Sequence, residues 1–287
     1  MTTTLHTEPD IILKVENLEA EFSSDEGIIK VLKGVDFEVK AGKTLGLVGE
    51  SGCGKSVTSM SVLGLLPQPY GRVTKGKVIY RDTDLLTLSE EQRYTIRGNH
   101  ISIIFQDPMT ALNPVHSIGK QLNEVLALHR PDLKKKERYR YAVEMLDKVR
   151  IPQPEKRLNE YPHNLSGGMR QRVMIAMALA CKPDILICDE PTTALDVTVQ
   201  ASILDLMLDL QEETGMAMIF ITHDLGVVAE ICDDVAVMYD GKIVEYADVF
   251  SLFDHPQHPY TEKLLSLVPG LDKPPKQMID IKPYHPE

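Results

Sequence analysis

The sequence is poor in cysteine, and the cysteines it has do not form a metal-binding pattern. Its 287 residues include 4 cysteines, namely Cys53, Cys181, Cys188 and Cys232. No Cys-x-x-Cys pair occurs among them, so the ligand spacing of a metal site is absent. We therefore expect free thiols, as in proteins of a reducing cytoplasm.

Long apolar runs are also missing. The longest ones, such as Val173–Cys181, are far shorter than the roughly 20 residues that a membrane-spanning helix needs. The segment Met1–Asp10 is polar and has no basic stretch followed by an apolar one, so we do not expect a signal peptide. If this chain works at a membrane, other subunits must hold it there.

Positive charge is outweighed by negative charge. The chain has 31 Lys and Arg residues against 42 Asp and Glu residues, for a net charge of -11. This balance argues against a protein that coats nucleic acid and against attachment to a membrane through a polybasic patch. The basic stretch Lys134–Arg140 is accordingly interpreted as the solvated face of a helix.

Strand and helix patterns alternate along most of the chain. The apolar patterns predict strands at Ile11–Leu18, Val31–Lys40, Thr44–Val48, Val78–Tyr80, Ile101–Phe105, Ile185–Cys188, Ala217–Thr222 and Val235–Tyr239. Helical spacing predicts helices at Ser56–Leu66, Val115–His129, Lys134–Val149, Gly168–Ala180 and Val197–Gly215. This order indicates an α/β core with a largely parallel sheet and an inserted helical subdomain. The Pro- and Lys-rich tail Pro256–Glu287 is expected to pack loosely.

The segment Gly49–Ser56 carries the strongest single signal. It fits the pattern G-x-x-x-x-G-K-[ST] of a phosphate-binding loop and lies between a predicted strand and a predicted helix. Glycines let backbone N–H groups wrap a phosphate, and the following helix N-terminus adds positive potential. Lys55, which we expect to face solvent when no nucleotide is bound, can reach the β- and γ-phosphates, and Ser56 can ligate Mg²⁺. The predicted nucleotide-binding residues are Gly49, Glu50, Ser51, Gly52, Cys53, Gly54, Lys55 and Ser56.

Two acids follow the apolar strand Ile185–Cys188. Ligands of parallel sheets bind beyond the carboxyl ends of the strands, so Asp189 is placed to hold Mg²⁺ directly or through water. Glu190 is placed to polarise the attacking water. Acids after a strand are often only a solvated turn, but the phosphate-binding loop favours the catalytic interpretation.

The motif Leu165-Ser166-Gly167-Gly168-Met169-Arg170-Gln171 is the most discriminating. Ser166 is a predicted helix N-cap, and the cap is a second site for an anion. Leu-Ser-Gly-Gly-x-x-Gln resembles the signature sequence of the ABC-transporter ATPases. The resemblance implies that Ser166, Gly167 and Gly168 close over the γ-phosphate bound to a partner subunit.

The resemblance extends over roughly residues 11–270 and implies roles for further residues. Gln106 matches the loop glutamine that senses Mg²⁺ and contacts the membrane subunits. His223 matches the switch histidine that contacts the γ-phosphate. In the segment Ala194-Leu195-Asp196, Asp196 would face the dimer partner, and Phe22 is the candidate for stacking on adenine. The implied domain is an ABC ATPase at 11–270, with a helical subdomain at approximately 107–183 and tails at 1–10 and 271–287.

Other segments indicate which branch of the family the chain resembles. The resemblance to importers of peptides and nickel is carried by Gln106–Pro114, Gly167–Ala178 and the tail segment His255-Pro256-Gln257-His258-Pro259-Tyr260-Thr261. The chain departs from many oligopeptide members because no cysteine follows Cys232, which puts a metal-cluster tail in doubt and leaves peptide and nickel both open.

The resemblance predicts an ATPase that powers an importer, in the first place of peptides, with nickel or another small solute of the same branch as the alternative. Its expected cofactors are ATP and Mg²⁺. The expected partners are a second and different ATPase subunit, two transmembrane permease subunits and an extracytoplasmic substrate-binding protein. The expected location is the cytoplasmic face of the inner membrane, with peripheral attachment.

Three alternatives remain. A soluble ABC-type ATPase of DNA repair or translation usually has a long coiled-coil insertion or two cassettes in one chain, and neither occurs here. A kinase with the same loop would need an acceptor for its phosphoryl group, and the signature motif argues against it. A non-enzymatic scaffold with a degenerate site is disfavoured because Lys55, Ser56, Asp189, Glu190 and His223 are all present.

Overall fold

A computed structural model describes residues 10–25, 27–107, 111–193 and 195–267. The N-terminal tail before Asp10, the tail 271–287 and Ala194 of the predicted partner-facing loop lie outside these residues, as does part of Gln106–Pro114. Among the described residues, no helix has both the length and the apolar character that crossing a bilayer requires.

The N-terminal part of the chain forms an antiparallel sheet of four strands in the order β2-β1-β4-β5. The strands are β1 (Ile11–Ser24), β2 (Gly27–Lys40), β4 (Gly71–Tyr80) and β5 (Thr83–Asp84). Strand β1 is longer than the predicted Ile11–Leu18 because it continues along β2 up to the pair Ser24 and Gly27.

A second sheet of six strands has the order β10-β9-β3-β8-β7-β6. All neighbouring strands are parallel except β10, which runs antiparallel to β9 at one edge. The largely parallel sheet that was predicted is thereby confirmed. The strands are β3 (Thr44–Val48), β6 (Ile101–Ile104), β7 (Ile185–Asp189), β8 (Ala217–Thr222), β9 (Asp234–Tyr239) and β10 (Lys242–Asp248).

Helices connect these strands and cover the parallel sheet. They are α1 (Lys55–Val62), α2 (Glu90–Ile96), α3 (Ile118–His129), α4 (Lys135–Lys148), α5 (Pro154–Arg157), α6 (Gly167–Leu179), α7 (Val197–Thr214), α8 (Leu225–Ile231), α9 (Val249–Asp254) and α10 (Pro259–Ser266). Helices α3 to α6 lie between β6 and β7, which are neighbours in the sheet. The chain therefore leaves the sheet after β6, builds a helical unit and returns beside the strand it left.

The parallel sheet is buried on both faces because its side chains alternate between two hydrophobic cores. In β7, Leu186 and Cys188 pack with the helices, whereas Ile185 and Ile187 pack against the antiparallel sheet. All five residues of β7 are buried. This rigid layer fixes the strand ends from which the polar residues of the next section project.

The prediction of a loosely packed tail from Pro256 onward is wrong for the part that the structure describes. Residues 259–266 form helix α10, in which Tyr260 is 0% exposed. The helix docks because Tyr260 belongs to the hydrophobic core, with Leu264 and Leu265 packed against it.

Candidate active site

The loop Gly49–Ser56 connects the buried strand β3 to helix α1. Gly52 and Gly54 have φ values of +82° and +114°, in the left-handed region that favours glycine. A Cβ atom on Gly49 would lie 2.2 Å from the carbonyl oxygen of Met238, so nothing larger than glycine fits there. Helix α1 begins without a side-chain cap, which leaves its first N–H groups to bind an anion.

Lys55 lies inside the loop rather than in solvent. Its Nζ donates to the carbonyl oxygens of Gly49 at 2.7 Å and Glu50 at 2.9 Å, and the residue is 5% exposed. The expectation that Lys55 faces solvent is therefore wrong. A buried ammonium group needs acceptors, and the curvature of the loop supplies two of them from its own backbone.

Ser56 and Asp189 meet across the base of the cavity. The Ser56 hydroxyl donates to Oδ1 of Asp189 at 3.0 Å, and Asp189 is 6% exposed. Burial raises the pKa of the Asp189 carboxyl, and the charge of Glu190 adds to the rise, while the Ser56 hydrogen bond and Lys55 oppose it. Two oxygen ligands side by side suit Mg²⁺, which takes few protein ligands and keeps water or phosphate oxygens for the rest. The described residues include no cluster of three or more His, Cys, Asp or Glu side chains that could hold a metal.

Glu190 has the most constrained carboxylate of the site. Its backbone φ of +46° is unusual for a residue with a side chain, and its N–H donates to Ile221 O at 2.9 Å. Gln106 Nε2 donates to Oε2 at 2.9 Å and the Thr193 hydroxyl donates to the same atom at 3.1 Å. His223 Nδ1 lies 3.3 Å from Oε1.

Three neighbouring strands deliver these side chains to one place. Gln106 follows β6, Glu190 follows β7 and His223 follows β8, and the three strands are adjacent and parallel. Their carboxyl ends therefore point the same way, toward the phosphate-binding loop after β3, as is general for ligand sites of such sheets. Gln106, Glu190 and His223 line one cavity with the loop.

This cavity has a volume of about 630 Å³. Sequence reasoning missed several of the residues that line it, including Thr193 and two leucines of the C-terminal region. The only sequence signal for Thr193 was its position one turn after Glu190, where its N–H donates to Glu190 O at 3.2 Å. The members missed from sequence are Val31, Val48, Val57, Thr193, Leu225, Leu264 and Leu267.

Phe22 is not among the described residues that line the cavity, whereas Val31 of β2 is. The Phe22 ring packs over Gly71, where an added Cβ would lie 2.9 Å from Phe22 Cε1. The stacking of Phe22 on adenine stays a prediction, and the packing of its ring over Gly71 does not support it.

The signature residues lie away from the cavity of their own chain. Ser166 caps helix α6, and its hydroxyl accepts the N–H of Met169 at 3.3 Å. Asp196 caps helix α7 in the same way, accepting the N–H of Val199 at 3.0 Å. Both caps are exposed, as is Gly167. A Cβ on Gly168 would lie 2.8 Å from the Val199 side chain, so this glycine allows α6 and α7 to approach closely.

Comparison with known protein families gives two matches. Residues 32–193 match the family described as ABC transporter. Residues 244–287 match the family described as the C-terminal region of oligopeptide and dipeptide transporters. The second match includes α10 and the tail segment singled out in the sequence.

Curated relatives and solved structures agree with these matches. A probable peptide ABC transporter ATP-binding protein of Sinorhizobium fredii is 56% identical over 91% of this chain and 77% of its own length. A dipeptide transport ATP-binding protein of Bacillus subtilis is 53% identical over 91% of this chain and 78% of its own. A dimeric ATP-binding cassette, solved in a post-hydrolysis state with ADP and Pi, superposes with a TM-score of 0.72 at 30% identity. That superposition covers 83% of this chain and 98% of the cassette.

Proposed function

The chain belongs to the ABC transporter family of ATP-binding proteins, and on that premise we propose that it hydrolyses ATP to power the import of peptides across a membrane. Relatives named for peptide, dipeptide or oligopeptide transport cover more than nine-tenths of the chain at 50–56% identity. The match of residues 244–287 to the C-terminal region of oligopeptide and dipeptide transporters supports the same substrate class.

The observation that carries the proposal is the convergence of Gln106, Glu190 and His223 on a phosphate-binding loop. Each residue follows a different strand, yet Gln106 Nε2 lies 2.9 Å and His223 Nδ1 3.3 Å from the carboxylate oxygens of Glu190. A carboxylate with only a structural role would not need to lie at the mouth of an anion-binding loop. A hydrolytic site does, because the attacking water needs a base opposite the γ-phosphate.

In the reaction, ATP and water become ADP and phosphate. The N–H groups of Gly52–Ser56 cradle the phosphates, and Lys55 exchanges its loop carbonyls for the β- and γ-phosphate oxygens. The Glu190 carboxylate accepts a proton from water, held in position by the donors Gln106 and Thr193. His223 lines the same cavity, where it would contact the γ-phosphate. Ser56 and Asp189 would hold Mg²⁺, which when bound supplies positive charge to the phosphate oxygens.

Each complete site is formed by two ATPase subunits. Ser166 and Asp196 are exposed helix caps outside the cavity of their own chain, so they are free to face the nucleotide of a partner. We propose that the ATPase domain spans residues 11–270 and that its helical subdomain spans approximately 107–183. The proposed partners are a second, different ATPase subunit, two transmembrane permeases and an extracytoplasmic substrate-binding protein, at the cytoplasmic face of the inner membrane.

Peptide-dependent ATP hydrolysis by the reconstituted transporter tests this function. The complex is assembled with its permeases in liposomes, and the rate is measured with the binding protein plus peptide, with nickel ions, and with neither. We expect stimulation by peptide. Stimulation of the ATPase rate by nickel ions and not by peptide would identify nickel as the imported solute. Full activity without any membrane subunit would instead indicate a soluble ABC-type ATPase.

A further inference from the structure

The tail segment His255–Thr261 has no role in the mechanism above, yet the structure holds it firmly. The Glu245 carboxylate of β10 accepts the N–H of Gln257 at 2.7 Å and the N–H of His258 at 2.9 Å. Helix α10 then begins at Pro259, and the His258 ring accepts the N–H of Tyr260 at 3.1 Å. The first turn of α10 is thus fixed to the edge of the parallel sheet.

This anchoring brings Tyr260 to the phosphate-binding loop. Tyr260 is fully buried, and its ring centroid lies 4.5 Å from that of Tyr239. Its hydroxyl oxygen accepts the N–H of Glu50 at 3.0 Å, across 210 residues of sequence. Lys263, one turn further along α10, lies 3.6 Å from the Glu50 carboxylate, although an ion pair this exposed contributes little.

The Tyr260 hydrogen bond acts on the peptide group that Lys55 also holds. The N–H of Glu50 and the carbonyl of Gly49 belong to one planar peptide. Lys55 Nζ donates to that carbonyl at 2.7 Å, and Tyr260 accepts from the N–H on the opposite edge. The orientation of the first peptide of the loop is therefore set from both sides.

We propose that α10 completes the nucleotide site and that Tyr260 is a positioning residue for ATP binding. The proposal rests on the function proposed above. Tyr260 holds the first peptide of the loop in the orientation from which Lys55 reaches the phosphates. Further along, Leu264 of α10 and Leu267 directly after the helix form part of the cavity wall, so bound nucleotide has α10 at one side of its site.

Loss of the Tyr260 hydroxyl should weaken ATP binding without removing catalysis. An amide left without an acceptor drives the loop toward other conformations, and the apparent affinity falls with the fraction of binding-competent loop. We expect the Kd for ATP to rise about 3- to 10-fold in Tyr260→Phe. We expect kcat at saturating ATP to stay within about twofold, because the Tyr260 hydroxyl bonds the backbone of Glu50, whereas Glu190 is held by Gln106 and Thr193.

The experiment compares Tyr260→Phe with Tyr246→Phe in the full chain and in the assembled transporter. Tyr246 also bonds the backbone through its hydroxyl, donating to Glu38 O at 3.2 Å, but it is not among the described residues that line the cavity. Equilibrium ATP binding, KM, kcat and the unfolding midpoint without nucleotide are measured for each. A higher Kd and KM with unchanged kcat, in Tyr260→Phe alone, supports the proposal. A lower unfolding midpoint with unchanged Kd and KM shows a purely structural tyrosine and overturns it.

A second variant leaves Tyr260 in place. Glu245→Ala removes the acceptor of the Gln257 and His258 amides, so α10 loses its anchor, and Kd should rise in the same direction. Unchanged affinity in both variants refutes the role of α10. If neither variant changes the affinity for ATP but Lys55→Ala still lowers it, the inference about α10 fails while the proposed function stands. If the wild-type chain binds no ATP, the proposed function itself is wrong.

Discussion

Replacing Glu190 with glutamine separates ATP binding from hydrolysis. The amide oxygen can accept from Gln106 and Thr193 just as Oε2 does, and the amide nitrogen can donate to His223 Nδ1 in place of Oε1. The backbone φ of +46° imposes the same cost on both side chains. The substitution therefore preserves the contacts and removes only the ability to take a proton from water.

The size of the loss follows from that single change. General-base catalysis contributes about 10²- to 10⁴-fold. At about 1.36 kcal/mol per factor of ten, this equals roughly 2.7–5.4 kcal/mol in the activation barrier. We expect kcat of the assembled transporter to fall by that factor. ATP binding should persist, because the variant removes a negative charge from beside the phosphates.

The assay is phosphate release by the assembled complex, together with retention of labelled ATP on gel filtration. Glu230→Gln serves as the matched control, because Glu230 is an exposed acid of α8 outside the site. Complexes with Glu190→Gln should retain ATP and release almost no phosphate. Turnover within about tenfold of wild type, well short of the loss of a general base, would refute the assignment of Glu190 as the base.

Further predictions concern the neighbouring residues. Asp189→Asn should raise the unfolding midpoint of the nucleotide-free chain at neutral pH, because burial raises the pKa of Asp189 and the fold therefore disfavours the ionised carboxyl. In thermal melts this gain should shrink as pH falls through the raised pKa and vanish below the ordinary value of 3.8, and a gain independent of pH would contradict the argument. Lys55→Ala should weaken ATP binding about 10- to 100-fold, because that factor corresponds to the free energy of charge-assisted hydrogen bonds. An unchanged Kd for a fluorescent ATP analogue would mean that the loop binds something else. Ser166→Arg should block hydrolysis at the partner's phosphate loop while its own loop still binds ATP. The isolated chain should be a poor ATPase whose rate rises with concentration and with the other subunits, so full activity of a dilute monomer would exclude a shared site.

Local sequence patterns predicted the catalytic strands well. The apolar run Ala217–Thr222 is confirmed as strand β8 with the same bounds, since a continuous apolar segment is typical of a strand buried on both faces. Helix α1 ends before the predicted Leu66. The helix ends at Val62, and Gly64 follows with a φ of +62°, a conformation with which glycine ends helices.

Contacts between distant parts of the chain could not be predicted from local sequence patterns. Nothing in the local pattern around Tyr260 indicates that its hydroxyl meets Glu50, 210 residues earlier. Strand β10 was missed because its exposed edge position leaves it without an apolar run. The position of Lys55 depends on the curvature of the loop backbone, which a motif does not specify.

The topology of the parallel sheet has a consequence for biosynthesis. Strand β3, which leads into the phosphate-binding loop, lies between β8 and β9, and both are made near the end of translation. At about 5–20 residues per second, synthesis of the 287 residues takes on the order of 15–60 s. The antiparallel strands β1, β2 and β4 can pair early, but β3 waits on the ribosome with both edges unpaired. We therefore expect the nascent chain to bind ATP only after β8 and β9 have emerged beside β3, so that chains terminated before β8 would not act as competing ATP-binding subunits.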